Sequence, residues 1–98
     1  MFTILWRYEV EPATRQQFEQ EYGPEGSWAK FFRNGDGYVR TELFRDCTHA
    51  DVYLTIDYWD SEEEFDSFRL SHADKYHALD KKFGKLSRAE RRLGTFSD

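Results

Sequence analysis

Val52-Tyr53-Leu54-Thr55-Ile56-Asp57-Tyr58-Trp59-Asp60-Ser61-Glu62-Glu63-Glu64-Phe65 changes its period within a few residues. Val52 to Trp59 alternates, with faces Val52, Leu54, Ile56, Tyr58 and Tyr53, Thr55, Asp57, Trp59. A period of two in β-branched and aromatic residues reads as a strand. At Ser61 the pattern turns helical. Ser61 with Glu64 three residues on is a capping box, in which the hydroxyl receives an otherwise unpaired N–H of the first turn. The apolar stripe then runs Phe65, Phe68, His72, Tyr76, Leu79, Phe83 at spacings of three and four. Glu62, Glu63, Glu64 and Asp66 crowd its start and Lys81, Lys82, Lys85 its end, matching the helix dipole. Ser71 with Asp74 is a second cap signal that allows a break near Leu70, and Gly84 ends the helix.

Working outward, Asn34-Gly35-Asp36-Gly37 is a turn signal, and Tyr38 to Arg45 alternates again. With the polar stretch Asp46 to Asp51 it makes an antiparallel hairpin with Val52 to Trp59. Upstream, Thr3 to Val10 reads as a strand, with Ile4, Trp6, Tyr8 and Val10 on one side. Glu11-Pro12 opens a helix, because proline at the first helical position gives up an N–H that has no partner there anyway. Phe18 and Tyr22 share its face, Gly23-Pro24-Glu25-Gly26 stops it, and Ser27 caps a short second helix holding Trp28, Phe31 and Phe32. Arg91 to Phe96 supplies a fourth strand.

The order β-α-β-β-α-β is the ferredoxin-like split arrangement, an α+β fold with a four-stranded antiparallel sheet. Residues 1–98 form one domain. Neither face of the strands is purely polar, so both sides of the sheet are expected to be covered. One chain has helices for one side only. A second copy on the other gives a homodimer, with Arg7, Arg40, Glu42 and Asp57 placed on the outer face to pair across it.

Composition removes other classes. Leu, Ile, Val and Phe make 21 of 98 residues, near the level at which chains stay disordered. The 18% aromatic content moves the chain to the folded side, since each buried ring removes about 150–250 Å² from water. The longest uncharged apolar stretch, Met1 to Trp6, is far short of the ~20 residues of a membrane span, and no signal peptide is recognisable. One cysteine, Cys47, excludes an internal disulfide framework. A net charge of −5 argues against nucleic acid as a partner. The expectation is a soluble cytoplasmic protein.

No phosphate loop, metalloprotease helix or nucleophile elbow is present. His72 and His77, five apart on a helix, do not clasp one metal from one face, so no metal site is expected. His72 stands on the apolar stripe and carries two readings. One is a core or boundary histidine bonded to a carbonyl. The other is a proton acceptor lining a pocket, since imidazole titrates near neutrality. Trp6, Trp59, Phe68 and Tyr76 are the expected walls, because bulky rings with few aliphatic fillers pack with gaps that suit a planar aromatic ligand.

Gly37-Tyr38-Val39-Arg40-Thr41-Glu42-Leu43 and the strand ending at Trp59, followed by Ser61 and an acidic helix start with Phe65, resemble the antibiotic biosynthesis monooxygenase family. That resemblance implies a dimeric α+β barrel, in which two sheets pack face to face and each subunit keeps a pocket between sheet and helices. It also implies cofactor-independent oxygenation of quinols, anthrones and similar aromatics, with the substrate anion itself activating oxygen. Haem-degrading relatives carry an Asn on the first strand and a Trp on the long helix. This first strand has no Asn and the helix offers Phe65 and Phe68, so haem is not the expected cofactor. The alternative to an enzyme is a non-catalytic or stress-related binder using the same pocket.

Overall fold

The computed structural model describes all 98 residues. Its strands are β1 (Phe2–Glu9), β2 (Tyr38–Arg45), β3 (Val52–Trp59) and β4 (Ala89–Ser97). The helices are α1 (Arg15–Tyr22), α2 (Ser27–Phe32), α3 (Glu62–Ser71) and α4 (Ala73–Phe83), with short 3-10 turns at Pro12–Thr14 and Gly84–Leu86. All pairings are antiparallel, in the order β2-β3-β1-β4, the ferredoxin-like arrangement expected. No helix is long and apolar enough to cross a membrane.

The cap at Ser61 forms as read: its hydroxyl accepts the Glu64 N–H at 3.2 Å, a contact worth about 1 kcal/mol. Two local expectations are corrected. Pro12 opens a single 3-10 turn, and α1 proper begins at Arg15. The cap position of α2 is Gly26, not Ser27, whose hydroxyl instead donates to Glu21. The long helix is two helices meeting at His72, whose φ of −121° and ψ of 29° leave the helical region. The second cap signal at Ser71 had pointed to this break.

Alternation decides what is inside. Phe2, Ile4 and Tyr8 of β1 and Tyr53 and Trp59 of β3 are buried under the helices. They join Phe18, Tyr22, Trp28, Phe31, Phe32, Phe65 and Phe68 in a core made chiefly of rings. Phe18 stacks on Tyr22 at 4.3 Å, and Tyr8 meets both rings edge-on at 5.2 Å. Asp57 shares the parity of Tyr53 and Trp59, so it also lies under the helices, at 9% exposure. Its expected place on the outer face is corrected: with Trp59 and Tyr53 buried, a period of two leaves Asp57 no other side.

The outer face carries Arg7, Arg40 and Glu42 as expected, together with an apolar field. Phe44 and Phe96 are exposed there, Leu5, Leu54, Ile56 and Tyr58 are half-buried, and Val39 and Leu93 are exposed at the register shifts of β2 and β4. No helix lies over this face. Nor does any helix cover β4, where every residue except Gly94 is exposed.

Strand β2 departs from simple alternation. Tyr38 stands opposite Trp59 and Arg40 opposite Tyr58, so Val39 is an extra residue in a β-bulge. Gly37, at φ +87°, makes the entry, and its carbonyl accepts the Asp60 N–H at 2.7 Å. A side chain at residue 37 would collide with the Glu64 carboxylate and would need a backbone conformation that glycine adopts freely. The bulge puts Tyr38 and Thr41, three residues apart, on the same inner face.

Candidate functional site

Between the sheet and helices α3 and α4 lies a cavity of about 770 Å³, within the range that holds a small organic ligand. Its floor comes from the inner faces of the strands: Ile4, Trp6 and Tyr8, then Thr41, then Thr55 and Asp57. Phe65, Leu70, Ala73 and Tyr76 form the roof, and Tyr22, Trp28 and Phe32 close the inner end. The mouth opens over the uncovered strand β4. Glu90 and Arg92 stand on its strand side, and Asp66, Arg69, His77 and Asp80 on its helix side. The walls are therefore ring-rich and the rim carries both signs of charge.

Asp57 is the one carboxyl at the deep end. Its Oδ1 accepts a hydrogen bond from the Thr41 hydroxyl at 2.7 Å, and no protein donor reaches Oδ2. No arginine, lysine or histidine forms an ion pair with it. Burial without a cation disfavours the charged form, and the carboxyl is pushed up to about 6, the Thr41 bond offsetting part of the rise. On the same floor, burial holds the Tyr8 phenol well above its ordinary range, with Tyr22 and Asp57 adding to the effect. The Tyr76 phenol is raised by burial as well. Near neutral pH the deep end of the site thus offers one carboxylate able to take a proton and several phenols able only to donate or accept hydrogen bonds, while at the rim burial also raises the Glu90 carboxyl.

Of the residues expected from the sequence, Trp6 and Tyr76 line the cavity. Trp59 and Phe68 do not; they sit in the packed core beside it, at 0% and 3% exposure, with ring centroids 5.3 Å apart. His72 also stands outside the cavity. Its ring stacks on Phe68 at 4.4 Å, and its Nδ1 lies 3.2 Å from the Phe68 carbonyl. It holds the joint between α3 and α4, and its chain neighbours Leu70 and Ala73 are the ones that reach the mouth. His77 is exposed and stands at the rim.

Sequence reasoning passed over Asp57 and Thr41 as site residues. The signal for Asp57 was present: it shares one strand face with Tyr53 and Trp59, the largest side chains of that face. No group of three or more His, Cys, Asp or Glu side chains is gathered as a metal site.

The sequence model of the antibiotic biosynthesis monooxygenases matches residues 1–79. No curated protein matches the chain. Among solved structures, a point variant of SnoaB, a cofactor-independent oxygenase from Streptomyces nogalater, is 25% identical, with a TM-score of 0.76. The similarity covers 99% of this chain and 91% of that one. A candidate antibiotic biosynthesis monooxygenase of Deinococcus radiodurans superposes with a TM-score of 0.75 at 14% identity, covering 100% and 92% of the two chains. Another, of Bordetella bronchiseptica, does so with a TM-score of 0.74 at 16% identity, covering 99% and 95%. At those lower identities the likeness is one of fold.

Proposed function

Because the chain belongs to the antibiotic biosynthesis monooxygenase family, we propose that it oxygenates a small planar aromatic of quinol or anthrone type without a bound cofactor. The observation that carries this reading is Asp57, a cation-free carboxyl with one open oxygen at the base of a ring-walled cavity. Its proton affinity sits just below neutrality, where a general base works best. Trp6 and Tyr76 sandwich the flat ligand, and Asp57 Oδ2 takes the proton of its acidic hydroxyl or methylene. The resulting anion is electron-rich enough to reduce oxygen itself. For an anthrone the balance is one CH2 group plus one O2, giving one C=O group and one water, so no outside reductant is required. The role first expected of His72 passes to Asp57 because His72 does not reach the cavity. The cofactor-independent description of SnoaB supports the same chemistry.

An oxygen electrode and a panel of reduced quinones and anthrones test the reading. Consumption of one O2 per substrate, by protein freed of metals with a chelator, is the expected result. Ligands that quench tryptophan fluorescence without any oxygen uptake would assign the cavity to a non-catalytic binder.

The same reading includes a homodimer formed through the outer sheet face. Phe44 and Phe96 are exposed on that face beside the half-buried Leu5, Leu54, Ile56 and Tyr58, an apolar field that no helix covers. Stacking two copies would bury that field and complete the two-sided cover the strands call for. Light scattering at micromolar concentration is expected to give twice the chain mass of 11.8 kDa. Ile56→Glu, which places a charge at the middle of the face, is expected to shift the mass to that of one chain. A native chain that runs as a monomer overturns the dimer. The same reading takes the protein to work in a reducing compartment, the cytoplasm, where the exposed thiol of Cys47 stays reduced.

A further inference from the structure

We infer that Tyr38, which does not line the cavity, is a positioning residue that fixes Asp57 through Thr41 and leaves Oδ2 as its only working oxygen. The inference rests on the assignment of Asp57 as proton acceptor. Its basis is a line of three polar groups across β2 and β3. The Thr41 hydroxyl donates to Asp57 Oδ1 at 2.7 Å, and the Tyr38 hydroxyl lies 2.7 Å from the same Thr41 oxygen. Thr41 has one proton, already given to the carboxylate, so Tyr38 must be the donor of the second bond. That second bond removes the freedom of the Thr41 hydroxyl to rotate toward another acceptor.

The backbone is built to make this line. Regular alternation would place Tyr38 and Thr41 on opposite faces, and the bulge at Val39 brings them to one. Thr41 then stands directly opposite Asp57, and Tyr38 opposite Trp59. The Tyr38 ring is held by Trp59 at 5.4 Å and Phe32 at 5.8 Å. Thr41 is 4% exposed, so water competes little for its hydroxyl. A bond to the carboxylate oxygen favours the charged form, and a chain of such bonds strengthens each member.

Other groups also bear on Asp57. Tyr8 on β1 and Tyr22 on α1 face the cavity, and Glu90 and Arg92 face it from β4. Asp66 and Arg69 approach from α3, and Tyr76, His77 and Asp80 from α4. None of these is hydrogen-bonded to Asp57, and none is altered by a change at Tyr38 or Thr41.

The test titrates the ligand-free protein by carbon NMR of labelled aspartate, the Asp57 signal being the one absent from Asp57→Asn. Thr41→Val is expected to raise the Asp57 midpoint by about one pH unit. Tyr38→Phe, which keeps the ring on Trp59 and Phe32, is expected to raise it by a smaller but measurable amount, and Thr41→Ser to restore it. In oxygen uptake, the acid limb of the pH profile should move by the same interval in each variant. Substrate KM should stay unchanged in Tyr38→Phe, since Tyr38 touches no ligand. A merely structural role for Tyr38 would lower activity equally at every pH and leave the midpoint in place; that result overturns the inference. Shifted midpoints in a protein that never consumes oxygen would remove the oxygenase reading and leave the relay standing.

Discussion

Asp57→Asn is expected to lower turnover by about two to four orders of magnitude while making the fold more stable at neutral pH. The two effects have one cause. Asp57 is 9% exposed, pairs with no cation and holds one hydrogen bond from Thr41. Its carboxyl is pushed up to about 6 from the ordinary 3.8, because burial penalises the charge. The folded chain therefore binds this proton more tightly than the unfolded chain does. Between about pH 4 and pH 6 the folded state holds more protons, so stability falls as pH rises, and above about 6 the loss is complete. The size is on the order of 3 kcal/mol, from about two units at 1.36 kcal/mol each. Asparagine has the same shape, keeps an oxygen for the Thr41 hydroxyl and carries no charge. Urea midpoints at pH 4.5 and 7.5 check the sign: the variant should gain on the native chain as pH rises. Equal differences at both values would show that Asp57 carries no desolvated charge. Activity of the native enzyme should climb with pH through about 6, as the base becomes free. His72→Ala is the companion measurement, and loss of turnover there with Asp57→Asn fully active would return the acceptor role to His72.

Most of the fold was legible because its signals are local. The Ser61 cap, the alternation from Val52 to Trp59 and the turn at Asn34 to Gly37 each need only a few residues, and each formed. The outer-face assignment of Asp57 failed for a different reason. It joined a true regularity, alternation, to a general preference for charges outside, and the buried rings on either side of Asp57 overrode the preference. A buried carboxylate that breaks the rule is itself a functional signal. The bulge at Val39 was not legible, since one extra residue leaves no mark in an alternating run of mixed polarity. With it went the shared face of Tyr38 and Thr41, and so the line of bonds to Asp57. His72 was legible as an exception on its stripe. Its place at the helix joint follows from how α3 and α4 pack, which a continuous helical wheel does not contain.

Trp59→Ala is expected to cost about 3–5 kcal/mol, the largest loss of stability from any single truncation proposed for this chain. Trp59 is fully buried, and four rings surround it: Phe32, Tyr38, Phe65 and Phe68, with centroids between 5.3 and 5.9 Å away. Gly35 seals another side, where an added side chain would meet both Trp59 and Phe68. Flat, stiff neighbours on several elements do not collapse into the space an indole leaves, so the cavity term is near its full size. For a domain of this length the loss corresponds to a fall in Tm of more than ~12 °C. Trp59→Phe separates the causes. The indole Nε1 has no hydrogen-bond partner, so its removal relieves a buried donor while one ring is retained. That variant is therefore expected to cost much less than the alanine. It should also keep Tyr38 in place, and with it the pH profile set through Thr41. Trp59→Ala, measured well below its lowered Tm, should instead shift the acid limb in the direction expected of Tyr38→Phe. An alanine variant within about 1 kcal/mol of the native chain would mean that the ring core collapses freely. In that case Trp59 could not be the support that holds Tyr38, and through it Asp57, in register.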